Sequence, residues 1–203
     1  MILLSFDIEE FDMPFEYNRK IEFEDQIKVS AIGTGIILDI LKKHQIKATF
    51  FSTATFAIHI PELLKRIIDE GHELASHTYY HSSFDVVDLV NSKKKLEELS
   101  NTEVIGFRMP RMQPVDEKEI YKAGYRYNSS INPTYLPGRY NNFDKPRTFY
   151  NQEGVWQIPA SVSPIIRFPL FWLSFHNLPL WIYKLVAKWT LKKDSYLNIY
   201  FHP

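Results

Sequence analysis

The stretch Ala75-Ser76-His77-Thr78-Tyr79-Tyr80-His81 decides which fold and which chemistry this sequence predicts. Its first residues end a short β-prone run, Glu73–Ser76, and two histidines four positions apart follow directly. On a helical turn this spacing places both imidazoles on one face, close enough to share a metal ion. Histidine pairs at this spacing also occur in cores and on surfaces, so the interpretation depends on what surrounds them.

Short apolar or β-prone runs alternate along the chain with stretches of helical periodicity. The predicted strands are Met1–Phe6, Lys47–Phe51, Glu73–Ser76, Val104–Phe107, Val155–Ile158 and Leu197–Phe201. The predicted helices are Asp25–His44, one from Pro61 to the residue before Gly71, Phe84–Leu99, Val115–Ala123 and Trp181–Leu191. The predicted loops are Phe11 to Glu24 and Asn128 to Gly154. This alternation favours an α/β fold, with a parallel sheet or barrel in one domain that spans residues 1–203.

Polar residues cluster at the carboxyl ends of four predicted strands. Asp7, His77, Arg108 and His202 each follow a strand directly. In parallel α/β folds these strand ends meet on one face, and the active site lies there. We therefore expect the four side chains to lie close together.

The composition indicates a globular protein without a nucleic-acid partner. Lysine plus arginine equals aspartate plus glutamate at 24 each, so the net charge is zero and no basic surface is predicted. The chain has no cysteine, so any metal must be bound by histidine and carboxylate. No signal peptide or transmembrane segment is predicted, and we therefore expect a cytoplasmic location. The oligomeric state stays open, a homo-oligomer included.

Two histidines and one carboxylate are a common ligand set for a catalytic metal ion. His77 and His81 would supply the imidazoles, and the acidic run Asp7-Ile8-Glu9-Glu10 would supply the carboxylate. Three protein ligands leave coordination positions open for water and substrate. The set suits one divalent ion, zinc first, with cobalt, iron or manganese as alternatives. Non-haem iron oxygenases use the same set, but normally on a double-stranded β-fold rather than on alternating helices and strands.

The same strand ends offer the other groups that a metal-dependent hydrolase needs. The Asp-x-Glu spacing of Asp7 and Glu9 can supply a metal ligand and a separate base. Arg108 would pair with the catalytic carboxylate, and His202 would act as general acid. The same residues also have structural interpretations. Asp7 and Glu9 would belong to a solvated acidic cluster, Arg108 would be a surface arginine in a turn, and His202 would be a packed histidine.

These motifs resemble those of the polysaccharide deacetylases, of the carbohydrate esterase family 4 type with a chitooligosaccharide-deacetylase homology domain. Asp7-Ile8-Glu9-Glu10 is similar to the first family motif, and His77-Thr78-Tyr79-Tyr80-His81 to the motif His-[Ser/Thr]-x-x-His. Arg108-Met109-Pro110 is similar to the Arg-x-Pro motif, and Trp156 and His202 correspond to later motifs. The resemblance covers essentially the whole chain, and four motifs in family order are more specific than any one alone.

The resemblance implies a distorted (β/α)7 barrel and a metal-dependent hydrolase that removes N-acetyl groups from an amino-sugar-containing saccharide. It implies that Asp7 is the base for a metal-bound water that attacks the acetamide, that Arg108 tethers Asp7, and that His202 is the acid. The implied metal ligands are Glu9, His77 and His81. The implied substrate contacts are Arg111, Trp156 and Tyr80.

The sequence departs from the usual family pattern in three places. One residue separates Asp7 from Glu9, as in the branch with intracellular peptidoglycan-deacetylase-like and allantoinase-like proteins, and Glu10 stays open as the alternative ligand. Arg111 stands where an aromatic residue is common. Relatives usually continue past the position of Pro203 with Trp-Glu and a last helix, so a truncated chain would have a barrel incomplete at its C-terminus.

Two alternative functions stay open at this point. One is the hydrolysis of a small non-peptide amide, as in the allantoinase-like relatives. The other is carbohydrate binding by a relative that has lost turnover. The presence of every motif residue argues against the second alternative, whereas the end of the chain at Pro203 argues for it.

Overall fold

Seven parallel strands form the central sheet of the protein in the computed structural model, which describes residues 1–203. The strands are β1 (Ile2–Ile8), β2 (Thr49–Ser52), β3 (Glu73–Ser76), β4 (Gly106–Phe107), β5 (Tyr127–Asn128), β6 (Tyr135–Leu136), β7 (Tyr140–Asn141), β8 (Tyr150–Gln152), β9 (Val155–Gln157) and β10 (Leu197–Phe201). The helices are α1 (Met13–Glu16), α2 (Phe23–His44), α3 (Ala54–His59), α4 (Pro61–Asp69), α5 (Val87–Ser100), α6 (Glu117–Lys122), α7 (Trp172–Asn177) and α8 (Leu180–Asp194).

The strand order in space is β10-β1-β2-β3-β4-β5-β9-β8. Only β8 runs antiparallel to its neighbour in this sheet, and β6 and β7 form a separate antiparallel hairpin. The sheet curls into a partial barrel with helices packed against it. The predicted α/β class and distorted (β/α)7 barrel are therefore confirmed.

The parallel register brings the carboxyl ends of distant strands to one edge of the sheet. Ile8 of β1 pairs with Ser52 of β2, and Ser52 pairs with Ser76 of β3. Phe6 of β1 pairs with Phe201, the last residue of β10. The segments that follow β1, β3 and β10 therefore emerge side by side, as expected for the site of a parallel sheet.

An irregular segment, rather than a regular ladder, joins the two ends of the curled sheet. After β9, the backbone N–H of Ser161 donates to the carbonyl of Asn198 (2.9 Å), and the Asn198 N–H donates to Ser161 Oγ (2.8 Å). The hydroxyl of Tyr196 donates to the carbonyl of Pro159 (2.5 Å). These bonds fix the start of β10 against the segment that follows β9.

Apolar side chains fill the space between the sheet and the helices. One cluster includes Phe50 of β2 and Leu38 of α2, and another includes Phe107 of β4, all without exposed surface. Close packing explains Gly33 within α2, because a Cβ atom there would lie 2.7 Å from the carbonyl carbon of Pro203. None of the helices combines the length and apolar character needed to cross a lipid bilayer.

The structure corrects several predicted elements. Strand β1 continues to Ile8, so Asp7 lies inside the strand rather than after it. Helix α3 follows β2 directly, where the sequence predicts none, and the predicted loop from Phe11 to Glu24 contains α1 and the start of α2. The predicted loop from Asn128 to Gly154 contains β6, β7 and β8. These elements are short, so only their tertiary partners stabilise them and periodicity over a few residues carries little signal.

Candidate metal centre

The side chains of Glu9, His77 and His81 converge at the carboxyl end of the sheet. Glu9 Oε2 lies 2.9 Å from His77 Nε2, and Glu9 Oε1 lies 3.2 Å from His81 Nε2. One ligand atom from each residue falls within 4.8 Å of the other two, and all three side chains are largely buried. The three predicted metal ligands thus surround one point.

An irregular loop, rather than a helical turn, brings the two imidazoles together. The His77 N–H donates to the carbonyl of Ser52 (2.8 Å) at the end of β2, so the loop begins in register with the sheet. Thr78 has a φ of 68°, and its hydroxyl donates to the carbonyl of Tyr80 (2.7 Å). The His77 and His81 rings lie at 28° to each other, with centroids 5.9 Å apart. The helical turn predicted from the spacing is wrong, although both rings do face the same point.

The protein holds the second nitrogen of each imidazole. His77 Nδ1 lies 2.7 Å from the carbonyl oxygen of Arg108, and His81 Nδ1 lies 2.8 Å from Asp12 Oδ2. An imidazole that donates from Nδ1 keeps the Nε2 lone pair free, which is what a metal-binding histidine needs. Both Nε2 atoms face Glu9.

The charges of the site favour an anionic Glu9. Burial opposes its ionisation, but the imidazoles of His81, His77 and His202 outweigh burial and lower the pKa of Glu9 to about 2. Burial also disfavours the charged form of His81, and the carboxylates of Glu9 and Asp12 outweigh it and raise the pKa of that imidazole. Glu9 is therefore ionised at neutral pH and is a charged candidate ligand.

These residues fit a divalent metal ion. Glu9 Oε2 is buried without a hydrogen-bond partner, so an anionic oxygen is available to a cation. One carboxylate and two imidazoles are ligands that zinc, cobalt, iron(II) and manganese accept. Glu10 turns away from the imidazoles, because its Oε2 accepts a hydrogen bond from Thr53 Oγ1 (2.6 Å). The geometry thus favours Glu9 over Glu10 as the carboxylate ligand.

Asp7 and Arg108 form a buried ion pair beside this centre. Arg108 Nη1 donates to Asp7 Oδ1 (2.5 Å), and the side chains of Arg108 and Asp7 are 1% and 3% exposed. Arg108 Nε donates to the carbonyl of Ser129 (3.1 Å), and Nη2 donates to the hydroxyls of Ser5 (3.0 Å) and Ser129 (2.9 Å). The guanidinium also lies over the ring of Phe51, 4.0 Å from its centroid. These contacts hold the Asp7 carboxylate in one orientation.

His202 lies opposite Asp7, directly after β10. Its Nε2 is 3.8 Å from Asp7 Oδ2 and 3.7 Å from Glu9 Oε1. The indole of Trp172 packs edge-on against the imidazole, with ring centroids 5.3 Å apart. His202 Nδ1 is buried without a hydrogen-bond partner, so packing, rather than hydrogen bonding, orients this ring.

A cavity of about 450 Å³ opens over these groups, and half of its lining residues are hydrophobic. Its aromatic walls are formed by Phe11, Tyr17, Tyr140, Phe171, Trp172 and Tyr200. The predicted site residues that line it are Asp7, Glu9, His81, Arg111 and His202. The cavity is therefore a concave site with several convergent polar groups, as is typical of small-molecule and substrate sites.

Two predicted substrate contacts, Trp156 and Tyr80, lie outside this cavity. Trp156 is the central residue of β9, where both neighbours are buried, so strand alternation turns its ring outward. Half of Trp156 is exposed, and its ring packs against Phe149 with centroids 6.1 Å apart. Tyr80 is 46% exposed, and its ring contacts that of Tyr79. The tryptophan that lines the cavity is Trp172 of α7.

Arg111, which is predicted to contact substrate, lines the cavity, but its guanidinium is bound to the protein. Nη2 donates to Asp12 Oδ2 (2.9 Å), and Nε donates to Glu16 Oε1 (3.2 Å). Neither Asp12 nor Trp172 is among the site residues predicted from the sequence. The only signal for Asp12 was its place three residues after Glu9, and the surrounding apolar stretch concealed Trp172.

Comparison with known sequences supports the resemblance. The family model described as polysaccharide deacetylase matches residues 23–128, more than half of the chain. A chitooligosaccharide deacetylase of Bradyrhizobium sp. is 47% identical over 48 residues, which cover 24% of this chain and 22% of that protein. The matched part spans no more than 26% of three curated relatives, so each of them is much longer than the region compared.

Solved structures share the fold. A probable polysaccharide deacetylase from Pseudomonas aeruginosa superposes with a TM-score of 0.72 at 14% identity, over 99% of this chain and 77% of that one. An allantoinase superposes with a TM-score of 0.70 at 14% identity, over 99% of this chain and 76% of that one. At such low identity these likenesses show the fold alone. The family model, in contrast, matches more than half of the length of this chain, and the chain therefore belongs to the polysaccharide deacetylase family.

Proposed function

We propose that this chain is a metal-dependent hydrolase that removes N-acetyl groups from an amino-sugar-containing saccharide, acting on a carbon–nitrogen bond that is not a peptide bond. The observation that carries the proposal is the meeting of a base, a ligand set and an acid at one cavity. His202 Nε2 lies 3.8 Å from Asp7 Oδ2 and 3.7 Å from Glu9 Oε1. The chitooligosaccharide deacetylase among the relatives supports an amino-sugar substrate.

Glu9, His77 and His81 would hold one divalent ion, zinc by preference, with cobalt, iron(II) or manganese as alternatives. When bound, the ion lowers the pKa of a coordinated water and polarises the acetamide carbonyl. The carbonyl of Arg108 and the carboxylate of Asp12 keep both imidazoles aimed at the position of the ion. The ligand set is thus oriented by the fold before the ion binds.

Asp7 acts as the general base. Arg108 engages Oδ1, and Oδ2 faces His202 at 3.8 Å, so one oxygen can accept a proton from the attacking water. The guanidinium keeps the carboxylate from rotating and so preserves the geometry of proton transfer. Glu9 as ligand and Asp7 as base give the two carboxylates separate tasks.

His202 acts as the general acid. It donates a proton to the amide nitrogen as the carbon–nitrogen bond breaks, so the products are acetate and a free amine. The side chain is 32% exposed, and solvent can therefore restore the proton. The aromatic walls, Trp172 and Tyr140 among them, offer flat surfaces against which a sugar ring can pack.

Release of acetate from N-acetylglucosamine oligomers tests the proposal. The zinc-loaded protein should release acetate, a chelator should abolish the release, and added zinc should restore it. Small cyclic and linear amides are the matched alternative substrates. Turnover of those amides alone would favour an allantoinase-like activity, whereas oligomer binding without acetate release would contradict hydrolysis and favour a binding protein.

A further inference from the structure

We propose that Asp12 and Arg111 form a positioning pair that holds His81 in the orientation needed to bind the metal ion. The proposal rests on the metal centre of the proposed function. It gives both residues a task other than contact with substrate. The supporting observation is a chain of close polar contacts that runs from the rim of the cavity to the imidazole.

Asp12 is the acceptor at the centre of this chain. Its side chain is 7% exposed, and Oδ2 lies 2.8 Å from His81 Nδ1 and 2.9 Å from Arg111 Nη2. The backbone of Asp12 is also fixed, because its carbonyl accepts the N–H of Phe15 in α1 (2.9 Å). The same carboxylate oxygen accepts the hydrogen bond from Arg111 and contacts the His81 imidazole, so a displacement of Asp12 would displace His81.

The contact with Asp12 determines which nitrogen of His81 faces Glu9. With Nδ1 at the Asp12 carboxylate, Nε2 points at Glu9 and lies 3.2 Å from its Oε1. His77 meets the same requirement through the backbone carbonyl of Arg108, which no side-chain substitution removes. A single side-chain substitution can therefore test how His81 is oriented, because its contact is with the side chain of Asp12.

Arg111 fixes Asp12 from the rim of the cavity. Its Nε donates to Glu16 Oε1 (3.2 Å), and its Nη1 donates to the carbonyl of His81 (3.3 Å). Arg111 and the following Met112 both have a φ of 54°, a conformation that persists in non-glycine residues only where the surroundings impose it. The hydrogen bonds from Arg111 provide such surroundings, and they occupy all three guanidinium nitrogens.

The zinc affinity of the whole chain, measured by competition with a chelating dye, tests the pair. Asp12→Ala removes the acceptor, and we expect the dissociation constant for Zn²⁺ to rise about 10–100-fold. Asp12→Asn keeps an acceptor oxygen and should recover most of the affinity. Arg111→Met should weaken zinc binding less than Asp12→Ala does. The double variant should bind no more weakly than Asp12→Ala, because Arg111 acts through Asp12.

The visible absorption spectrum of the cobalt-loaded protein gives a second readout. A reoriented His81 changes the coordination geometry, so the Asp12→Ala spectrum should differ from that of the wild type. A loss of general stability would leave the spectrum of the folded protein unchanged. Arg126→Met, which breaks an exposed ion pair with Glu103, is the matched control and should match the wild type in affinity and spectrum.

A folded Asp12→Ala protein with wild-type zinc affinity and a wild-type cobalt spectrum would overturn the proposal. Should that variant fail to fold, Arg111→Met decides the question: weaker zinc binding supports the pair, and unchanged binding overturns it. A wild-type protein that binds zinc but releases no acetate contradicts only the proposed deacetylation. The two failures are therefore distinguishable.

Discussion

Different kinds of contact hold the two sides of the cavity in place. On the ligand side, Glu9, His77 and His81 are largely buried, and the second nitrogen of each imidazole faces an oxygen acceptor. On the acid side, His202 is one-third exposed, its Nδ1 has no hydrogen-bond partner, and the indole of Trp172 packs against its ring. Polar contacts therefore orient the imidazoles on the ligand side, and packing orients the imidazole of His202 on the acid side.

This difference indicates how each side responds to substitution. A hydrogen bond sets the orientation of a ring even when its neighbours change shape, whereas a ring held by packing can rotate when its neighbour becomes smaller. We therefore expect changes on the ligand side to alter metal binding. Changes on the acid side should alter turnover and leave metal binding intact.

Asp7→Asn, at the boundary between the two sides, should have the largest effect. We expect kcat to fall about 10²–10⁴-fold, because the amide cannot accept the proton of the attacking water. The metal content should stay that of the wild type, since Asp7 is not among the candidate ligands. Acetate release and elemental analysis measure the two quantities. Normal turnover in this variant would show that another group is the base.

Arg108→Met should have the second-largest effect, and this effect is on the free energy of unfolding rather than on turnover. The substitution leaves the Asp7 carboxylate buried without its partner, and we expect the free energy of unfolding in urea to fall by about 3–5 kcal/mol. Arg126→Met is the matched control, because its ion pair with Glu103 is exposed and contributes little. Equal stability of the two variants would mean that Asp7 does not depend on this guanidinium.

Trp172→Leu tests the acid side through its effect on kcat, since Trp172 packs against His202. Without the indole the His202 ring can turn, and kcat should fall by up to about 10²-fold while zinc affinity stays unchanged. Trp156→Leu is the matched control, because that side chain lies outside the cavity and is half exposed. A larger loss of turnover in Trp156→Leu than in Trp172→Leu would favour Trp156 as the substrate contact that the sequence predicts.

The smallest expected effect is on the pH dependence of stability, and it comes from His72, a buried histidine that does not line the cavity. His72 Nδ1 accepts the N–H of Ala48 (3.3 Å), and burial, followed by the charge of Lys47, lowers the pKa of His72 below 6.5. The unfolded chain therefore binds the proton more readily, and stability present above about pH 6.5 is lost as the pH falls towards the folded pKa.

His72→Gln should reduce the amount of stability that is lost as the pH falls. Free energies of unfolding in urea at about pH 7.5 and about pH 5.5 measure the difference between the two proteins. His81 is the contrasting case, because the carboxylates of Glu9 and Asp12 raise its pKa against the effect of burial. An unchanged pH dependence in His72→Gln would mean that His72 titrates alike in the folded and unfolded states.

The sequence predicted the sheet and its polar strand ends because apolar runs and βα alternation are local signals. It placed Asp7, His77, Arg108 and His202 at strand ends, and the structure brings their side chains to one edge of the sheet. The loop from His77 to His81 was not predictable, since its shape depends on bonds from β2 and on the left-handed Thr78. These are tertiary contacts that spacing alone does not reveal.

The two tryptophans lie where no local sequence pattern places them. Trp156 matched a family motif by position, but alternation along β9 turns it outward, between two buried neighbours. Trp172 lies in an apolar stretch where every large side chain is an equal candidate for the core. Its place opposite His202 follows from the packing of α7 against β10, which no local pattern encodes.

The metal content of the purified chain tests the central claim most directly. After zinc loading and dialysis, elemental analysis should find a single ion per wild-type chain and a large loss in His77→Ala, because that variant lacks one of three candidate ligands. A wild-type chain without bound metal, or a folded His77→Ala protein with undiminished zinc, would contradict the claim that Glu9, His77 and His81 share an ion.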